Sequence, residues 1–261
     1  MKMSDIGTMG GWEQDPTLFA MHAAVEQREA AQPPRTYLGA SSIGDSCDRK
    51  LWYGLQGAPR EPIKWQGLYA IEDGHRTEDL IAERLRLVPG IELWTHREDG
   101  SQFGFEDFGG RFRGHIDGAI RGLLQAPKTP HIWENKSVNE TKFKKFQKAV
   151  AEKGEKNALK AWDPVYYAQA VVYMSYFDLT RHYLTVTTPG GRDIASCRTE
   201  ANPTYAEALR EKAKRILNAA QAPARVSDNP SWYECKFCPF WETCHVLPAT
   251  ATGAAAQQNE W

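Results

Sequence analysis

Two short runs that carry charged side chains inside strand-like patterns constrain this chain more than any other feature. Phe112 to Ile120 alternates polar and apolar residues and contains Asp117; across a turn, His131 to Lys136 contains Glu134 and Lys136. Both read as β-strands, in which residues two apart share a face. Paired as a hairpin, they bring Asp117, Glu134 and Lys136 to one polar spot at the edge of an otherwise apolar sheet. An ordinary surface ion pair is one account of that spot. The other is a hard-oxygen site for Mg2+ or Mn2+, formed by Asp117, Glu134 and the backbone carbonyl of Asn135, with water in the remaining positions. Lys136 then orients an attacking water whose pKa the metal lowers, which is the chemistry of phosphodiester hydrolysis.

The chain has 261 residues, enough for one substantial core with a small appended lobe. No apolar run is long enough to span a bilayer, and the start of the chain lacks the apolar segment of a secretory signal, so a cytoplasmic location is expected and no membrane partner. Net charge is -1, so any nucleic-acid contact must come from a local basic surface. Residues 1–36 read as a mobile arm with a short helix from Thr17 to Ala31. Ser46 is placed to cap a helix bearing Leu51, Trp52 and Leu55 on one face. A longer helix runs from Trp65 to Leu87, with Leu68, Ile71, Leu80, Ile81 and Leu85 as its apolar face and Glu78 on its flank. A strand at residues 91–98 and a glycine-rich hairpin connection lead into the two site strands. Then comes a lysine-dense helix with Lys142, Lys144, Lys145 and Lys148, followed by a loop around residues 152–157. A charge run is most often a solvated face. Its place directly after Lys136 makes it equally a track for a DNA backbone, each lysine–phosphate contact releasing counterions.

Asp163 and Pro164 open an apolar helix in which Gln169 and Tyr173, four apart, share a face. A hairpin across Gly190 and Gly191 carries Cys197 as a core residue, and a helix from Pro203 to Ala219 packs over it. Near the end, Cys235, Cys238 and Cys244 form a C-x2-C-x5-C array among aromatic residues. Three thiolates complete a tetrahedral site only with a fourth ligand, for which Cys47 is the candidate; His245 in its place gives a zinc alternative. Five cysteines in a cytosolic chain suit metal ligation better than disulfides. Residues 248–261 read as a disordered tail.

Taken together, these motifs resemble the PD-(D/E)XK nucleases: GHID at 114–117 followed by ENK at 134–136. QAVVY, with Gln169 and Tyr173, and GHRTE at 74–78 are similar to motifs of that superfamily's RecB-like exonuclease branch. The resemblance covers about residues 38–246. It implies an α/β restriction-endonuclease-like core, a central mixed sheet flanked by helices, in a nuclease domain at 37–247. It implies Glu78 as a further metal ligand, with His75 as its rival, and Gln169 and Tyr173 as supports of the lysine or the phosphate. CDRKLWY and CKFCPFWETC resemble the flanks of iron–sulfur-clasped relatives, including the AddB nuclease domain and CRISPR-associated RecB-like exonucleases. By that likeness Cys47, Cys235, Cys238 and Cys244 hold a 4Fe-4S cluster, or structural Zn2+, joining a lobe built from 40–60 and 230–247. The implied activity is metal-dependent cleavage of single-stranded DNA or duplex ends in recombination, repair or phage DNA processing, exonuclease ahead of endonuclease, with a helicase or single-strand annealing protein as a further partner. The alternatives are a non-catalytic DNA-binding protein on the same fold and a zinc or iron–sulfur interaction module.

Overall fold

Residues 15–246 are described in a computed structural model of the chain. The first element is helix α1 (Pro16–Ala30), started by Pro16 and by the Asp15 carboxylate, which accepts from the amides of Thr17 and Leu18. Strand β1 (Leu38–Gly39), a 3-10 turn at Ala40–Ser42 and helix α2 (Asp48–Leu55) lead to the long helix α3 (Trp65–Arg86). Four short strands follow, β2 (Glu92–Trp94), β3 (Gly104–Asp107), β4 (Phe112–His115) and β5 (Gly118–Arg121), and then the longer β6 (His131–Ser137). Helices α4 (Glu140–Lys153), α5 (Glu155–Trp162) and α6 (Pro164–Tyr176) cross to β7 (Arg181–Thr187) and β8 (Ile194–Glu200). Helix α7 (Pro203–Asn218) and two single-turn helices, α8 (Tyr233–Lys236) and α9 (Trp241–His245), complete the described chain.

The strands form two sheets, β2-β5-β6-β7-β8 and β1-β4-β3. In the larger, β6 and β7 are parallel and the other neighbours antiparallel, so it is the mixed sheet expected. The α4–α6 connection is the crossover that a parallel pair requires. His131 to Asn135 are all buried, because β6 is covered on both faces. On one face Ile132 joins the main core with Phe112, Ile116, Ala170, Met174 and Leu184. On the other, Trp133 joins Ile81 and Ala82 of α3 with Leu93, Ile120 and Leu123.

Several expectations are corrected. Phe112 to Ile120 is not one strand: it breaks after His115, β4 going to the small sheet and β5 to the large one. The expected glycine-rich connection contains β3, which pairs with β4. The polar spot lies on β6, the central strand of five, not at a sheet edge. No loop separates α4 from α5 beyond Gly154, whose φ of 73° makes the bend. Ser46 does not cap α2; its hydroxyl donates to Glu234, and Cys47 occupies the N-cap position. Ile71 points outward, 48% exposed, and Thr77 takes an inner place on α3 with its hydroxyl returned to the carbonyls of Asp73 and Gly74.

Within the stretch expected to be an arm, α1 is fastened to α3. The His22 ring stacks on Trp65 at 3.9 Å, its Nδ1 lies 3.0 Å from the Tyr69 hydroxyl, and Arg28 meets Glu72 at 2.6 Å. The first fourteen residues and the expected tail at 248–261 lie outside the described residues. No described helix is long and apolar enough to cross a membrane.

Candidate active site

The break between β4 and β5 creates the site. One step beyond the Gly118–Trp133 pair, the chain leaves the large sheet, so the next amide on β6 has no strand to pair with. Asp117 supplies the missing partner: its Oδ2 accepts from the Asn135 amide at 2.8 Å, and its own amide lies 3.3 Å from Glu134 Oε1. A carboxylate standing in for a ladder carbonyl satisfies a buried donor and fixes its own position in the same bond. Glu134, 1% exposed, projects from β6 towards α6, where Lys136 Nζ donates to Oε2 at 2.8 Å and Gln169 Nε2 at 3.1 Å. Gln169 also approaches the Tyr173 hydroxyl at 3.2 Å.

Gly114 makes this packing feasible. A Cβ there would stand 2.6 Å from the Tyr173 ring and 2.8 Å from both Ala40 and Phe105. Asn135 turns its side chain to the opposite face, where Thr185 donates to its Oδ1 at 2.9 Å and itself accepts from Trp133 Nε1 at 3.1 Å.

From α3, Glu78 comes close enough to Asp117 for the two charges to act on each other, and His75, one helical turn earlier, also acts on Asp117. Burial and then the Asp117 charge push the Glu78 carboxyl up to about 7, and the same two causes push Glu134 up to about 8. Burial raises Asp117 as well, against the pull of Lys136 and the Asn135 amide. Burial alone would lower Lys136; the Glu134 and Asp117 carboxylates outweigh it and hold the ammonium above its usual range. Three carboxylates therefore share one ammonium. Such a cluster either retains protons or takes a cation. Hard oxygen donors in excess of the local positive charge are the set that suits Mg2+ or Mn2+, although no described group of three His, Cys, Asp or Glu side chains stands in ligating geometry.

Gln169 and Tyr173 are brought to the site, Gln169 by its bond to Glu134 and Tyr173 by its contact with Gln169. Among the lysines, Lys142 is committed within the protein: it pairs with Asp163 at 2.8 Å, with its Nζ 4.4 Å from the centre of the Tyr166 ring. Lys144, Lys145 and Lys148 are exposed on α4, Lys148 beside Glu152 at 3.6 Å.

Two residues were missed. Tyr166 lies beneath both Lys136 and Lys142, with Lys136 Nζ 5.7 Å from its ring centre. It sits one turn before Gln169 on the same helix, and that spacing was the available signal. Asp73 accepts from the Ser137 hydroxyl at 2.7 Å and from the Gly190 amide at 3.0 Å, tying α3 to the end of β6 just past Lys136. Nothing local marks that role.

A profile of the PD-(D/E)XK nuclease superfamily matches residues 19–245. The chain belongs to the PD-(D/E)XK nuclease superfamily. No curated protein matches it. Among solved structures, an alkaline exonuclease from Laribacter hongkongensis is similar with 15% identity over 70% of this chain and 87% of that one, at a TM-score of 0.48. The same exonuclease in complex with dAMP gives 13% identity, 70% and 86% coverage, and a TM-score of 0.47.

This PD-(D/E)XK chain also gathers the four named cysteines. Cys47, Cys235, Cys238 and Cys244 line one cavity of about 490 Å³ with Arg49, Lys50 and Arg225. Burial raises the Cys235 and Cys238 thiols, and Cys47 and Cys244 add to the effect on each. As the thiols stand, they form no ligating group among the described residues. The fifth cysteine, Cys197, is fully buried, and burial pushes its thiol up to about 12.

Proposed function

We propose that this chain is a metal-dependent deoxyribonuclease acting on single-stranded DNA or duplex ends. The observation that carries the reading is the convergence of Asp117, Glu134 and Lys136 at the strand break, with Glu78 facing them from α3. Asp117, Glu134 and Glu78 are the side chains that would hold Mg2+ or Mn2+, with the Asn135 carbonyl as a further donor. When bound, the ion supplies a water of lowered pKa and neutralises charge on the phosphoryl oxygens. Lys136 remains an ammonium, because its surroundings raise its affinity for the proton; it is a donor to the attacking water and the phosphate, not a base. Gln169 holds Glu134 in one rotamer, leaving Lys136 a fixed origin from which to reach solvent. Lys144, Lys145 and Lys148 provide an exposed basic face on the helix that follows Lys136.

The test is digestion of an end-labelled single strand, a linear duplex and a closed circle with Mg2+, Mn2+ or EDTA. The wild type is expected to cut the linear substrates only with metal. Lys136→Ala and Asp117→Asn are expected to lose about 10²–10³-fold or more in rate, the usual weight of a preorganised group that stabilises developing charge. Wild-type rates in either variant, with unchanged melting behaviour, end the assignment.

A second reading rests on the common cavity of the four cysteines: they hold a 4Fe-4S cluster or Zn2+ that clasps the two ends of the domain. Near that cavity the Glu61 amide donates to the Pro239 carbonyl at 2.7 Å and the Thr243 hydroxyl to the Pro59 carbonyl at 2.5 Å. Iron, acid-labile sulfide and zinc analysis of anaerobically purified protein decides among cluster, zinc and free thiols.

A further inference from the structure

Between Pro230 and Val246 the chain presents aromatic side chains to solvent. Trp232 is 45% exposed, Tyr233 60%, Phe237 78% and Trp241 38%, whereas Trp52 and Trp133, elsewhere, are buried. Exposing so much ring surface costs free energy unless something covers it. Charge of both signs accompanies the rings: the Tyr233 hydroxyl donates to Glu234 at 2.7 Å, while Lys236 Nζ lies 5.6 Å from the centre of the Phe237 ring and has no carboxylate partner among the described residues. Arg49 is engaged by the carbonyls of Pro223 and Ala222. Tyr233, Phe237 and Trp241 line the cysteine cavity together with Pro164 and Val165 at the start of α6. The next residue, Tyr166, lies beneath the Lys136 ammonium. The start of α6 therefore links the aromatic wall to the site.

We infer that Tyr233 and Phe237, with Trp232 beside them, form a stacking platform for unpaired bases, so that the substrate approaches Lys136 as a single strand. The occupant is chosen by chemistry: it must offer flat π-faces to the rings and negative charge to Lys236, and unpaired nucleotides offer both, while bases in a duplex keep their faces covered. This inference rests on the nuclease reading and specifies which form of DNA that site receives.

The experiment uses the full chain in EDTA, so that binding is read without cleavage. Fluorescence anisotropy follows a labelled oligothymidylate and a blunt duplex of equal length with wild type, Tyr233→Ala/Phe237→Ala and Phe237→Trp. Stacking on one ring is worth about five-fold or more in affinity. The double variant is expected to lose about ten-fold or more on the single strand, to keep its affinity for duplex, and to melt as the wild type does; Phe237→Trp is expected to keep both affinities. If the double variant is unfolded, Phe237→Ala alone replaces it, since that ring is the most exposed of the four. Unchanged single-strand affinity, or an equal loss on duplex, overturns the platform. So does a change in sedimentation showing that the rings join two copies of the chain or a protein partner. Failure of wild-type cleavage in Mg2+ or Mn2+ counts against the nuclease reading instead, and is seen in a separate assay.

Discussion

Glu134 has almost no freedom: one oxygen meets the Asp117 amide, the other takes both Lys136 and Gln169, and the side chain is 1% exposed. Its carboxyl, pushed up to about 8, lies well above the ordinary value of 4.5. Between these values the metal-free folded protein holds a proton that the unfolded chain has released, so stability falls as pH rises through that window. In EDTA the wild type should melt at a lower temperature at pH 8 than at pH 5, and Glu134→Gln should flatten the difference. Parallel pH profiles for the two proteins would show that the carboxyl is not the source. His182 gives the opposite slope. Burial, then Lys136 and His131, press its pKa down to about 3, so stability is lost as pH falls from the ordinary 6.5 towards 3. Short spacings made the pairs Glu134 with Lys136 and Gln169 with Tyr173 legible, because a two-residue step on a strand and a four-residue step on a helix set relative direction without tertiary information; Asp117, between β4 and β5, was singled out by its motif. Asp73 escaped notice because its partners, Ser137 and Gly190, come from other elements, whereas Tyr166 was open to the same helical spacing that marks Gln169.

The two glycines that shape the site and the bend after α4 act for different reasons, and that difference can be measured at the level of elements. At Gly114 the obstacle is contact: β4, the turn at Ala40 and helix α6 approach so closely that a methyl would enter the Tyr173 ring. Gly114→Ala should cost about 1–3 kcal/mol by overpacking, and cleavage should fall with it because Tyr173 must move. At Gly154 there is open space, and only the positive φ excludes a side chain. With ψ at 160° as well, Gly154 occupies a region that is essentially glycine's alone, so Gly154→Ala should cost about 1–3 kcal/mol through backbone strain and leave cleavage at the wild-type rate. Denaturant midpoints and cleavage rates measured together separate the cases. Helices α1 to α4, α6 and α7 and the β7–β8 hairpin were readable from periodicity and caps such as Asp163, whose carboxylate accepts from the amides of Val165 and Tyr166, whereas α5, α8 and α9 were not. The break at Ile116–Asp117 was not, since alternation continues through it; what ends β4 is a change of partner strand, which no local pattern records.

At the scale of the molecule, the segments around α2 and α8–α9 are joined by contacts between distant parts of the chain. Trp52 Nε1 donates to the Ala219 carbonyl at 2.9 Å, and the Tyr53 and Phe240 rings lie 5.7 Å apart. If a metal centre occupies the cysteine cavity, Cys47→Ser should lower the melting temperature of the protein as isolated and make little difference after the metal is stripped. Equal melting of both proteins before stripping would leave these contacts as the whole of the clasp. By itself the sequence determined the superfamily and the longer helices, and singled out Asp117, Glu134 and Lys136 as candidates. These depend on residue chemistry and short spacings, whereas the shared cavity of Cys47 and the late cysteines is a matter of tertiary structure. Only the tertiary structure decided that the site lies on the central strand, that Asp117 substitutes for a departing strand, and that Gln169 meets Glu134. Those facts depend on which distant segments meet, and long-range pairing is chosen by the burial of the whole core, not by any stretch within it.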